Sequence, residues 1–123
     1  MSTDIFLQDF ADPAPDRSGE LDAALRPLLD DSLQNLITGD GWAAVYGLDS
    51  GPVTGVMFND IVGHDAWQVI YDTAVAADWI VMPVSSAVCI VSEAQRSTIP
   101  ADAAEAGVLL IASGAELKAA VEA

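Results

Sequence analysis

The chain has 123 residues, with 19 acidic side chains against four basic ones and a formal net charge of −15, yet 52% of it is hydrophobic. High charge with low hydrophobicity marks disorder, whereas high charge on so apolar a chain marks a folded domain with an acidic exterior. Such a field excludes direct nucleic-acid and anionic-membrane binding and draws in basic protein surfaces, including those that normally hold nucleic acid; the same charge also serves solubility.

Residues 4–10 read as a short first strand, with Ile5, Leu7 and Phe10 as candidates to face a core. Pro13, Pro15 and their charged neighbours make 11–19 a loop. Ser18 is a candidate cap for a stretch in which Leu21, Ala24, Leu25, Leu28, Leu29, Leu33, Leu36 and Ile37 recur at helical spacing. Pro27 either kinks one helix or divides the stretch, and the pattern favours a turn over 20–25 followed by a helix over 27–37, stopped by Gly39. Residues 42–48 and 53–59 read as strands joined by the turn Asp49-Ser50-Gly51-Pro52, an antiparallel hairpin. A helix is predicted over 65–77 with the inner stripe Trp67, Ile70, Tyr71 and Ala74. Two strands follow, over 79–84 and 87–91, and Ser92 with Gln95 has capping-box spacing. Pro100 opens a helical turn ending at Gly107, and 108–112 reads as a buried strand. Ser113 and Glu116 form a second capping box, opening a C-terminal helix with Leu117, Ala120 and Val121 inward. The sum is a single α+β domain over residues 1–123, with a mixed, mainly antiparallel sheet of about five or six strands and about three helices.

The length is that of one domain. Cys89 lies in the apolar run 87–91, has no second cysteine to pair with and no base near it in sequence, and reads as a small buried hydrophobe. The opening Met-Ser-Thr-Asp lacks the basic start of a signal peptide, and no apolar run approaches the roughly 18 residues of a membrane helix. A cytoplasmic protein is expected.

Candidate chemistry is sparse. The segment Asn59-Asp60-Ile61-Val62-Gly63-His64-Asp65 holds the only histidine, at a strand-to-helix junction where α/β proteins often bind ligands. His64 with Asp60 or Asp65 falls short of the three or four ligands of a metal site, and Asp65 is explained as a helix N-cap or first-turn residue. Asp49 followed by Met57-Phe58-Asn59 has the layout of PD-(D/E)xK nucleases, but Met57 and Asn59 replace the acid and the lysine that hold metal and water. No nucleophile elbow, phosphate loop or basic patch is present, and the three tryptophans read as core.

The opening Asp4-Ile5-Phe6-Leu7-Gln8-Asp9-Phe10 resembles the start of a group of small uncharacterised bacterial proteins that begin with an Asp-aliphatic-Phe-aliphatic-Gln-Asp strand. Residues 53–77 are similar to the middle of that group, although its usual Arg before the helix is missing here, where His64 stands nearby. The resemblance implies a compact α/β domain and nothing catalytic.

These readings point to a non-enzymatic, cofactor-free and metal-free protein-binding domain. An inhibitor or immunity-type role fits, in which carboxylates occlude a basic partner surface. The contact is expected on the acidic N-terminal third, at Asp9, Asp12, Asp16, Glu20, Asp22, Asp30 and Asp31. Two alternatives stay open: a structural or assembly protein forming oligomers through an apolar interface, and a small enzyme around His64, Asp60 and Asp49. A contiguous acidic face favours the first reading, an extensive apolar surface the second, and a pocket joining His64 to convergent carboxylates the third.

Overall fold

In the computed structural model, described for residues 3–48, 51–84 and 86–122, three helices form one layer against a single seven-stranded sheet. The strands are β1 (Ile5–Gln8), β2 (Asn35–Ile37), β3 (Trp42–Tyr46), β4 (Gly55–Val62), β5 (Ile80–Pro83), β6 (Val88–Ile90) and β7 (Val108–Leu110). The helices are α1 (Ser18–Ala24), α2 (His64–Ala77) and α3 (Gly114–Glu122). The sheet order is β2-β3-β4-β1-β5-β6-β7, antiparallel throughout except for the parallel pair β6–β7. A mixed, mainly antiparallel α+β domain with three helices is therefore what the chain forms, and the strand count is seven rather than five or six.

The extra strand lies where a helix over 27–37 is expected. Pro27 sits in a short 3-10 turn, Arg26–Leu28, after α1 has ended. The Asp30 carboxylate then accepts bonds from the Ser32 hydroxyl (2.8 Å), the Asn35 side-chain amide (2.8 Å) and the Gln34 and Asn35 backbone amides. Short polar side chains offer the backbone this alternative to a helix, and Leu33 takes a left-handed conformation at φ 59°. The turn brings Leu36 to the core from a strand, not a helix, and it is fully buried there.

Period-two alternation builds the core. Ile5 and Leu7 of β1, Val56 and Phe58 of β4, Ala43 and Val45 of β3 and Val81 of β5 face the helices. Against them pack Leu21 of α1, Trp67, Ile70 and Ala74 of α2, and Leu117 of α3. Cys89 is buried in this cluster, and burial pushes its thiol up to about 11, in line with an inert hydrophobe. The predicted stripe of α2 faces inward as expected, with Tyr71 only partly buried.

Three local expectations change. Gln95 does not cap a helix: its buried side chain donates to the Trp79 carbonyl (3.1 Å) and to Asp78 (3.0 Å), and accepts from the Val91 amide (2.9 Å), tying the start of β5 to the end of β6. Ser113 does cap α3 by accepting from the Glu116 amide, but Glu116 reaches back to the Ala112 amide rather than to Ser113. The strand at 108–112 is not buried; β7 is a sheet edge. The turn residues Asp49 and Ser50 lie outside the described residues, while the hairpin they join is antiparallel as expected.

Candidate functional site

Most of the N-terminal carboxylates hold the chain to itself. Asp16 accepts from the Ser18 hydroxyl (2.6 Å) and from the Val53 amide (2.9 Å), fastening the start of α1 to the segment before β4. Asp30 shapes the turn into β2. Asp9 accepts from the Ala11 amide (2.8 Å), Glu20 pairs with Arg17 (3.0 Å) and Asp22 with Arg26 (2.6 Å). Asp12 and Asp31 are exposed. The Asn35 amide and Ser32 hydroxyl hold Asp30 down to about 2, and the Ser18 hydroxyl and Val53 amide lower Asp16. The sequence gives no warning of this, because the partners of Asp16 and Asp30 are backbone and hydroxyl groups rather than charges.

The helix-free face of the sheet is a different kind of surface. The registers Tyr46↔Met57, Met57↔Phe6 and Phe6↔Met82 line up four large side chains in one row across β3, β4, β1 and β5. A second group, Ile37–Trp42–Val62, crosses β2, β3 and β4 on the same face. Tyr46 is 51% exposed, Trp42 44% and Phe6 41%. At the β5–β6 end this face is covered instead, by Phe10 and Ile99 packed on Ile80, Val88 and Ile90. Trp67 and Trp79 are core as expected, but Trp42 is not. The signal available in sequence is in β1: Phe6 stands between Ile5 and Leu7, so both faces of the central strand are apolar, and the helices cover only one.

Carboxylates stand at both ends of β1, the middle strand of this face. Asp4 precedes β1 and accepts from the Asn59 side-chain amide on β4 (3.2 Å), and Asp9 follows β1. All four basic side chains pair with a carboxylate three or four residues away: Arg17–Glu20, Arg26–Asp22, Arg96–Glu93 and Lys118–Glu122. Among the described residues no Lys or Arg is left to offset the remaining carboxylates, and the net charge of −15 is an outward field.

The third arrangement surrounds Asp60. It takes a left-handed conformation at φ 52° where the β3–β4 register slips between Ala44↔Asn59 and Trp42↔Val62. The extra residue re-aims the end of β4, so that Ile61 packs on the core and Asp60 does not. Asp60 lines an open groove of about 680 Å³ with Trp42, Trp67, Lys118 and Glu122. His64 is exposed and does not line it. The junction is held from elsewhere: the Asp40 carboxylate accepts from the His64 amide (2.9 Å) and the Asp65 amide (3.2 Å) and so caps α2 across 24 residues of sequence. Asp65 is a first-turn residue, not the cap. Burial acts to raise the Asp40 pKa, but the two amides, the Thr38 hydroxyl and the nearby His64 together hold it below the ordinary value. Asp40 thus binds backbone, and the imidazole is not brought to a convergent set of carboxylates. Asp49 lies outside the described residues. Among the described residues no group of three or more His, Cys, Asp or Glu side chains is placed to hold a metal, and no helix is long and apolar enough to cross a membrane. Comparison of the chain with protein-family models, with curated proteins and with solved structures finds no match.

Proposed function

We propose that this is an acidic protein-binding domain that occludes a basic surface of another protein, with the helix-free sheet face as the contact and the surrounding carboxylates as the steering field. The single observation that carries the reading is the row Tyr46–Met57–Phe6–Met82, in which Tyr46 and Phe6 are exposed and Met57 and Met82 half-buried, joined by the exposed Trp42 on the same face. Aromatic and methionine side chains set in a polar rim are the composition of binding hot spots. The charge selects the occupant. Two copies of a chain at −15 repel each other, whereas a partner with Lys and Arg around an apolar centre gains from both parts of the surface. Apolar contact would supply most of the residence time and the carboxylates most of the encounter rate. The seven N-terminal carboxylates then act through the field rather than as a dedicated contact, since five of them already hold bonds within the chain.

The test is an affinity pulldown from the source cells at low and at physiological salt, run with the wild type and with the double variant Phe6→Ser, Tyr46→Ser. The expected result is a basic protein retained by the wild type, less so as salt rises, and lost with the double variant at a nearly unchanged melting temperature. Equal retention by the variant would remove the sheet face from the interface, and retention indifferent to salt would remove the electrostatic part.

A further inference from the structure

The two edges of the sheet end differently. At the β2 edge, the Asp30 amide donates to the Asn35 carbonyl (2.9 Å), the Asp30 carboxylate accepts from the Asn35 amide (3.2 Å), and Leu29 bridges to Leu36. The outward-facing backbone groups of Asn35 are therefore already paired. At the opposite edge, β7 has only β6 beside it. The bonds Val88 N–H to Gly107 C=O (3.0 Å) and Ile111 N–H to Ile90 C=O (2.9 Å), with the parallel register Cys89↔Leu109, show that residues 107, 109 and 111 face β6. Val108 and Leu110 consequently direct their N–H and C=O groups away from the sheet.

Natural edges are protected by charge, proline, a bulge or a covering segment. The stretch 107–113, Gly-Val-Leu-Leu-Ile-Ala-Ser, has neither charge nor proline, and Leu109 and Leu110, on opposite faces of the strand, are 46% and 48% exposed. Carboxylates stand at both ends: Asp102 and Glu105 around the turn leading into β7, and Glu116 in the first turn of α3.

We propose that β7 accepts an extended segment of another protein as an eighth strand, and that this segment has an apolar, β-prone centre flanked by Lys or Arg. The backbone of Val108 and Leu110 pairs with the incoming strand, its side chains cover Leu109 and Leu110, and its basic ends meet Asp102, Glu105 and Glu116. A second copy is the wrong occupant, because it brings the same carboxylates to the same edge. This edge lies two strands beyond β5, where the Tyr46–Met57–Phe6–Met82 row ends, and the proposal stands whether or not that row binds anything.

The probe is a blocked peptide, Lys-Lys-Val-Thr-Val-Thr-Val-Lys-Lys, titrated into the full chain and followed by amide hydrogen exchange. The expected result is saturable binding that slows exchange of the Val108 and Leu110 amides while leaving the Leu109 amide, which faces β6, unchanged. A version with Glu in place of Lys, a version with alternate amides N-methylated, and the variant Leu110→Pro should each weaken binding by about tenfold or more. The proline removes only an outward N–H, so the β6–β7 ladder has no bond to lose. Failure of the wild type to bind overturns the proposal, as does binding without protection at Val108 and Leu110. Concentration-dependent self-association that protects the same two amides without peptide overturns the assignment of a basic partner and names a second copy instead.

Discussion

Asp40 does at long range what a helix usually does with its own neighbour. The residue before α2 is Gly63, at φ 90°, where a side chain would be strained. A Cβ on Gly63 would stand 2.5 Å from Asp40 Oδ1, so the glycine makes room for the carboxylate that takes the His64 and Asp65 amides. Both residues are needed for one cap. Gly63→Ala should destabilise the fold by about 1–3 kcal/mol through strain at a positive φ. Asp40→Ala should lower the melting temperature and speed exchange of the His64 and Asp65 amides while the rest of α2 stays protected. The double variant should cost less than the sum, because removing the Asp40 carboxylate also removes the side-chain atoms that an added Cβ at position 63 would meet. Additive losses in thermal melts would show that Gly63 is required for another reason.

Among the elements, what was legible in the sequence is what local pattern decides. The stripe of α2, the alternation of Ile5 and Leu7, the Ser113 cap of α3 and the antiparallel β3–β4 pair all rest on side chains within a few residues of each other. What was not legible depends on side chains competing with the backbone or on what the fold leaves uncovered. The leucines at 25, 28, 29, 33 and 36 keep helical spacing, yet Pro27 and the bonds to Asp30 turn that chain into β2. Trp42 and Trp67 have equally apolar neighbours in sequence, yet only Trp67 lies between the helix layer and the sheet. The same limit applies to the candidate site: a row such as Tyr46–Met57–Phe6–Met82 exists only once the strand order is known. The two tryptophans make a direct comparison. Trp67→Ala should cost about 3–5 kcal/mol, as large-to-small core changes do. Trp42→Ala, half exposed at β3, should stay within roughly 0.5 kcal/mol of wild type. Denaturant midpoints at constant slope check both, and a large loss for Trp42→Ala would mean that it supports the sheet instead of serving the surface.

For the whole molecule, stability is set against its own charge. A net −15 on 123 residues opposes the compact state by self-repulsion, and the four cations, each already paired locally, do little to offset it over longer distances. Exposed charges are screened over about 8 Å at physiological ionic strength, so added salt should raise the melting temperature at neutral pH. Acidification acts in two opposite senses. It first removes negative charge, which relieves the repulsion. It later protonates Asp16, Asp30 and Asp40, whose folded pKa values all lie below their ordinary 3.8. A carboxylate with a depressed folded pKa contributes stability that is fully present above its unfolded value and is lost as pH falls through the folded one. For Asp30 that window runs from 3.8 down to about 2. The melting temperature should therefore rise on leaving neutral pH, pass through a maximum above the window, and fall within it. Asp30→Asn, which keeps the shape but not the charge, should lower the maximum and flatten the fall. Circular-dichroism melts across the pH range, at low and high salt, separate the two effects: salt should shrink the rise and leave the fall in place. A melting temperature that drops steadily from neutral pH at low salt would mean that self-repulsion is too weak to matter, and with it the field on which steering of a basic partner depends.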